Sequence, residues 1–300
     1  MRGLSNTFMK DLLSGHLSPL LERVHADHTL CLELRNEAVN IYYRGGNLLR
    51  IARGSGGYAG VFDPAYTIST TAGATPKPGS GLNNAAEVKM WISSIPLLKL
   101  GIDLNKSQKE EREAQQQIVR DNNFGRMSTS TDFYLCDIEY NTPFGQFDLV
   151  GVEWMSKPHI RKKQHQRRLA IIEAKFGDNA VSGKAGISDH IIDINQFLAS
   201  KTNVDALKID MLKVFNQKQE LGLITCKKRL LSFSEKPPLL ILLLANHDPD
   251  STLLRTQLQA LPPSPHAQIH IAISTFMGYG LFKHAVIPLG TAQTRFPEWF

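Results

Sequence analysis

The sequence predicts an α/β protein in which helices flank a mixed sheet, preceded by a small β-rich region at the N-terminus. Two observations carry this. From residue 133 onward, strand-like and helix-like segments alternate. Within that half, residues 239–245 form a continuous apolar run, as expected of a strand buried on both faces. The chain has 300 residues, 42% of them hydrophobic, enough for one large or two smaller domains. At 21% charged residues, wholesale disorder is excluded.

Residues 6–24 carry Phe8, Leu12, Leu13, Leu20 and Leu21 at helical spacing, and Pro19 divides the segment into two short helices. Residues 29–34, 39–43 and 47–51 are β-rich and separated by polar or glycine turns, which predicts an antiparallel meander. Residues 55–84 are rich in Gly, Ser, Thr and Pro and read as a long loop or linker. The expected division is therefore 1–84, with helix, meander and linker, and 85–300, the α/β domain. In the second part, helices are expected at 85–98 and 107–122, then strands at 133–140, 146–154 and 168–176. Helices at 187–199 and 204–221 follow, then a strand at 237–246, a helix at 251–260, and strands at 266–274 and 280–288.

Formal net charge is +6 and the pI is about 9.2, a balance that suits a polyanionic partner. Cys31, Cys136 and Cys226 are few and far apart, with no CxxC pair, so neither a disulfide framework nor a cysteine zinc site is expected. Residues 1–10 hold no long apolar run and no segment is long enough to span a bilayer. The expectation is a cytoplasmic protein without membrane association.

The chemistry concentrates on two strands. In the strand at 168–176, period-two alternation sets Glu173 and Lys175 on one face. The residues leading to them are apolar on both faces, which predicts a central strand, where a carboxylate and an ammonium are costly unless paired or metal-bound. Asp148 lies in the preceding strand, and a hairpin through residues 156–167 brings it beside Glu173. Two carboxylates and a lysine suit phosphodiester hydrolysis with Mg²⁺ or Mn²⁺: oxygen ligands hold the ion, and the lysine orients water or stabilises charge. The competing reading of the trio is a structural ion pair at a strand end.

The elements Phe147-Asp148-Leu149-Val150 and Ile172-Glu173-Ala174-Lys175 resemble the PD-(D/E)XK nuclease superfamily, over roughly residues 107–199. They are also similar to uncharacterised bacterial members of it. Phe147 stands where the superfamily motif carries proline. The resemblance implies a restriction-endonuclease-like fold and a Mg²⁺- or Mn²⁺-dependent nuclease acting on nucleic acid, with DNA preferred over RNA and RNA left open. It implies Asp148, Glu173 and Lys175 as catalytic residues, with Asp148, Glu173 and the Ala174 carbonyl as metal ligands. It adds an acid on a preceding helix, for which Glu113 is chosen, with Gln117 one turn further on the same face.

Other residues have weaker claims. Asp137 and Glu139 alternate onto one strand face, where they extend an acidic cluster or simply meet solvent. His190 lies on the helix after the Glu-x-Lys strand, facing the site or satisfying a neighbour. Arg161, Lys162, Lys163, Arg167 and Arg168 lie in the densest basic run and read as phosphate contacts, or as a solvated loop that keeps a strand edge soluble. Against the enzyme stands an inactive nuclease-fold module that binds nucleic acid or protein without cutting.

Overall fold

The structure is a computed structural model and describes residues 2–70, 73–105, 110–124, 128–183, 186–248, 251–274, 281 and 286–297. The chain divides into two compact units, Met1–Gln116 with Gln217–Leu223, and Gln117–Asn216 with Ile224–Phe300.

The first unit opens with helices α1 (Asn6–Leu13) and α2 (Ser18–Ala26), separated as Pro19 requires: proline occupies the first turn of α2, where its missing N–H costs nothing. Strands β1 (Leu30–Arg35), β2 (Ala38–Tyr43) and β3 (Gly46–Gly54) form the antiparallel meander. The segment expected as a linker contains further structure: β4 (Gly57–Val61), a short 3-10 turn at Pro64–Tyr66, the small hairpin β5 (Ser69–Thr70) and β6 (Gly73–Ala74), and β7 (Ser80–Gly81). The sheet order is β1-β2-β3-β4-β7. Glycine misleads here because packing, not flexibility, requires it. A Cβ added at Gly60 would lie 2.5 Å from the Trp91 ring, so only glycine lets β4 pass under that side chain. Trp91 comes from α3 (Ala85–Leu104), which continues past the expected end at residue 98 with Pro96 inside it. Helix α3 thus belongs with the N-terminal sheet. Helix α4 spans Glu110–Asn123, and residues 107–109 of the expected helix lie outside the described set.

The second unit is built on a six-stranded mixed sheet of order β13-β12-β11-β10-β9-β8. Strands β8 (Phe133–Thr142), β9 (Gly145–Glu153) and β10 (Arg168–Phe176) pair antiparallel, and the short helix α5 (Pro158–Arg161) lies in the β9–β10 connection. Helices α6 (Ile187–Leu198) and α7 (Lys201–Glu220) lead to β11 (Leu239–Ala245), parallel to β10. Helix α8 (Thr252–Gln259) leads to β12 (Gln268–Ser274), parallel to β11. Strand β13 (Val286–Pro288) pairs antiparallel with β12 and passes into α9 (Leu289–Arg295), a helix absent from the sequence expectation. Of the strand expected at 280–288, residues 280 and 282–285 lie outside the described set.

Val150, Val152, Leu169, Ile171, Leu240 and Leu242 form one face of this sheet's core, against Ile187, Ile191 and Ile194 of α6 and Leu207, Met211 and Phe215 of α7. Ile187, Ile191 and Ile194 recur at i, i+4 and i+7, a stripe that fixes which side of α6 meets the sheet. Ala170, Ile172, Ile241 and Leu243 on the other face are buried as well, so β10 and β11 are sandwiched. Among the described residues no helix is long and apolar enough to cross a membrane.

One interaction of the first unit carries a clear stability consequence. Lys218 Nζ lies 2.7 Å from Glu33 Oε1, and both side chains are almost wholly buried. Lys218→Ala removes the ammonium from this buried ion pair, and should cost about 3–5 kcal/mol. The double variant Glu33→Leu/Lys218→Met should recover most of that loss, because neither charge then needs solvation. Chemical denaturation of the single and double variants measures both values.

Candidate active site

Strand β10 presents Leu169 to Lys175 as an unbroken buried run. Alternation along it places Glu173 and Lys175 on one face, and Lys175 Nζ approaches Glu173 Oε1 at 2.8 Å, with the two side chains 2% and 0% exposed. His190, in the first turn of α6, brings Nδ1 to 2.8 Å from the same oxygen. Its neighbours Ile187 and Ile191 are buried in the core, which holds the imidazole against the sheet. Neither approach is aligned as a hydrogen bond, and Glu173 Oε2 is buried with no hydrogen-bond partner among the described residues.

The β9–β10 ladder pairs Ile171 with Val150 and Ile172 with Leu149, so the next register position sets Asp148 against Glu173. Regular pairing stops there. The Ala174 N–H instead donates to Asp148 Oδ2 at 2.9 Å. That bond brings the Asp148 carboxylate, itself buried, to the backbone between Glu173 and Lys175. A carboxylate accepting from a buried amide is strongly favoured where the partner strand no longer supplies a carbonyl.

The neighbouring β8 is irregular at the same level. A bulge interrupts its register between Leu135 and Asp137, and Glu139 has a left-handed φ of 54°. Asp137 pairs in register with Val150, two positions from Asp148. Glu139 falls between the pairs Ile138–Leu149 and Tyr140–Phe147, at the register position of Asp148. A left-handed non-glycine residue costs on the order of 1–3 kcal/mol and concentrates at functional sites. Asp137 is fully buried, and its Oδ1 accepts from the Ile138 amide at 3.0 Å.

After β10 the chain turns at Gly177, whose φ of 73° suits glycine, and meets the exit of β11. There the His247 ring contacts Asp178 Oδ1 through Nδ1 at 2.9 Å and the Lys175 carbonyl through Nε2 at 3.1 Å. In sequence, Asn246-His247-Asp248 reads only as the start of a loop. What links His247 to Lys175 is the parallel β10–β11 register, which pairs Phe176 with Ala245 and has no local signature.

Glu113 lies in the first unit, with its carboxylate 3.5 Å from Arg44 Nε, whereas Asp148, Glu173 and Lys175 lie in the second. Gln117 is half-buried on α4.

The basic residues separate into two groups. Arg161 donates to the Thr131 carbonyl and lies over the Tyr134 ring, 4.6 Å from its centroid. Burial pushes the Tyr134 hydroxyl up to about 12, with the Arg161 guanidinium opposing that rise. Arg168 donates to the Pro237 carbonyl at 2.7 Å and to Gln268 Oε1, and Arg167 lies over Trp154. Lys162 and Lys163 stay exposed.

Asp148, Glu173 and the Ala174 carbonyl are hard oxygen donors of the kind Mg²⁺ and Mn²⁺ prefer. The unpartnered, buried Glu173 Oε2 fits such an ion. Among the described residues no group of three His, Cys, Asp or Glu side chains gathers as a ligand set, so an ion here would keep several waters. No family model, no curated protein and no solved structure matches the chain at a significant level.

The Asp148–Ala174 bond makes a separable prediction. Asp148→Ala strands a buried N–H and should cost about 1–3 kcal/mol, with faster exchange of the Ala174 amide proton. Asp148→Asn retains a carbonyl acceptor and should preserve both stability and amide protection. Hydrogen exchange by NMR, with thermal melts of the two variants, reads the difference.

Proposed function

We propose that the chain is a metal-dependent nuclease of restriction-endonuclease-like fold that hydrolyses phosphodiester bonds in nucleic acid, with DNA the favoured substrate. The single observation that carries this reading is the convergence on residues 173–175 of a central strand, where Lys175 Nζ meets Glu173, the Ala174 amide holds Asp148, and Glu173 Oε2 has no hydrogen-bond partner among the described residues. Asp148, Glu173 and the Ala174 carbonyl would hold Mg²⁺ or Mn²⁺, and the ion when bound supplies a water of lowered pKa and offsets charge on the phosphate.

The remaining roles belong to the chain itself. Lys175 presents an ammonium beside Glu173, where it donates to the attacking water or to a phosphoryl oxygen as negative charge develops. His190 steadies the Glu173 carboxylate from the helix side. The Ala174 amide fixes Asp148, so two like-charged carboxylates stay close without relying on mobile rotamers. Cys31, Cys136 and Cys226 are buried and form no disulfide among the described residues.

A second reading has its own support. Lys175 and His190 both reach Glu173 at 2.8 Å, so a buried carboxylate is compensated without any metal, as in a non-cutting nucleic-acid-binding or protein-interaction module of the same fold.

The separating experiment incubates purified protein with single- and double-stranded DNA and RNA, in Mg²⁺ or Mn²⁺ against EDTA. The nuclease reading expects metal-dependent cleavage that Glu173→Gln and Asp148→Asn abolish. Lys175→Ala should slow cleavage by about 10²–10³, the loss typical of removing one transition-state donor. Binding of nucleic acid without cleavage of any of the four substrates would favour the inactive module.

A further inference from the structure

A second cluster lies at the opposite end of β10 from Glu173. There Lys163, Arg167, Arg168 and Lys236 line a cavity of about 400 Å³, with Glu153 as the one carboxylate and Ser234 in the wall. Four cations against one anion leave a formal excess of +3 around a concave space. The walls are held by backbone rather than by loose side chains. Arg167 forms a parallel bridge with Phe233, and the Ser234 amide donates to the Arg167 carbonyl at 2.9 Å. The Arg167 guanidinium lies over the Trp154 ring at 5.8 Å and uses only Nε, toward the His165 carbonyl at 3.2 Å. Its two terminal nitrogens make no hydrogen bond to described residues. Arg168 is anchored on the Pro237 carbonyl and Gln268. Ser234 Oγ is buried and has no hydrogen-bond partner among the described residues.

We propose that this cavity is a binding site for a phosphate monoester, with the free edge of Arg167 as donor and Lys163 and Lys236 as charge partners. A guanidinium fork with both terminal nitrogens free matches two phosphate oxygens, and stacking on an indole pre-orders it. A dianion is the charge that an excess of +3 accommodates, after Glu153 offsets one of the four cations. Burial lowers the pKa of both Arg167 and Arg168, partly opposed by Glu153, so these cations are short of solvation and gain from an anion. The volume suits a phosphate with an attached sugar and is too small for a duplex. The phosphate comes either from a free nucleotide or from the terminus of a nucleic-acid strand. The site does not rest on the nuclease reading, and its test runs in EDTA, where no metal-dependent cleavage takes place.

Isothermal titration of the full chain with inorganic phosphate, a nucleoside 5′-monophosphate, the matching nucleoside, and 5′-phosphorylated and 5′-hydroxyl oligonucleotides tests it. Saturable binding of phosphate and nucleotide is expected, with none for the nucleoside. Arg167→Gln should weaken binding by about tenfold or more, the loss of a bidentate charged contact. Lys163→Gln/Lys236→Gln, which changes only exposed side chains and so leaves folding untouched, should do the same. Lys227→Gln, an equal charge change on an exposed lysine that does not line the cavity, should alter affinity by less than about twofold. Tighter binding of the 5′-phosphorylated oligonucleotide than of the nucleotide assigns the site to strand ends, and the reverse order assigns it to free nucleotides. The proposal is overturned if phosphate fails to saturate the wild type at millimolar concentration, if the nucleoside binds as well as its monophosphate, or if Lys227→Gln weakens binding as much as Arg167→Gln.

Discussion

A carboxylate at 0% exposure in the middle of a sheet constrains everything around it. Glu173 sits where β10 is covered on both faces, and an unpaired charge there would cost several kcal/mol. The local structure answers that constraint twice and then adds to it. Lys175 shares its strand face, His190 reaches it from α6, and Asp148 is tethered one strand away by the Ala174 amide. The last contact is the unusual one, because it adds a second negative group beside the first. Two neighbouring carboxylates destabilise each other unless something positive lies between or beside them. The Ala174 amide fixes Asp148 beside the strand that carries Glu173 and Lys175, and Glu173 Oε2 has no hydrogen-bond partner among the described residues.

The apolar frame explains how such a site persists. Strands β10 and β11 pair in parallel along seven positions, and α6 and α7 cover them with Ile191, Ile194, Leu207, Met211 and Phe215. Polar groups gather where this frame ends, at Glu173, Lys175, Asp178 and His247, the carboxyl edge of parallel strands. The basic cavity occupies the other end of the same strand, where Arg167 and Arg168 begin β10. A single strand thus begins in the basic residues of that cavity and ends in the Glu173–Lys175 pair.

Much of this was legible in the sequence, for identifiable reasons. Strands β8, β9 and β10 and helices α6 and α7 follow from hydrophobic periodicity, which is strongest in long buried elements. Period-two alternation alone placed Glu173 beside Lys175. Composition misled where packing overrides it. Gly57–Val61 is a strand because Trp91 needs the space over Gly60, and a Gly-rich string cannot announce that. Arg161 sits in a run that reads as solvated, yet it folds back onto Thr131 and Tyr134, a contact 27 to 30 residues away with no local signal. The Asp148–Ala174 bond, the bulge in β8 and the meeting of His247 with Lys175 depend on inter-strand register, which is set by tertiary packing.

Cation binding at Asp148 and Glu173 can be measured without any substrate. Mn²⁺ binding to the purified chain, followed by electron paramagnetic resonance titration, counts the ions and assigns them to residues. The expected result is saturable binding in the wild type that is lost in both Asp148→Asn and Glu173→Gln and retained in Asp178→Asn. Binding that is equal in all four proteins, or absent from the wild type at millimolar Mn²⁺, would contradict a metal centre at Asp148 and Glu173.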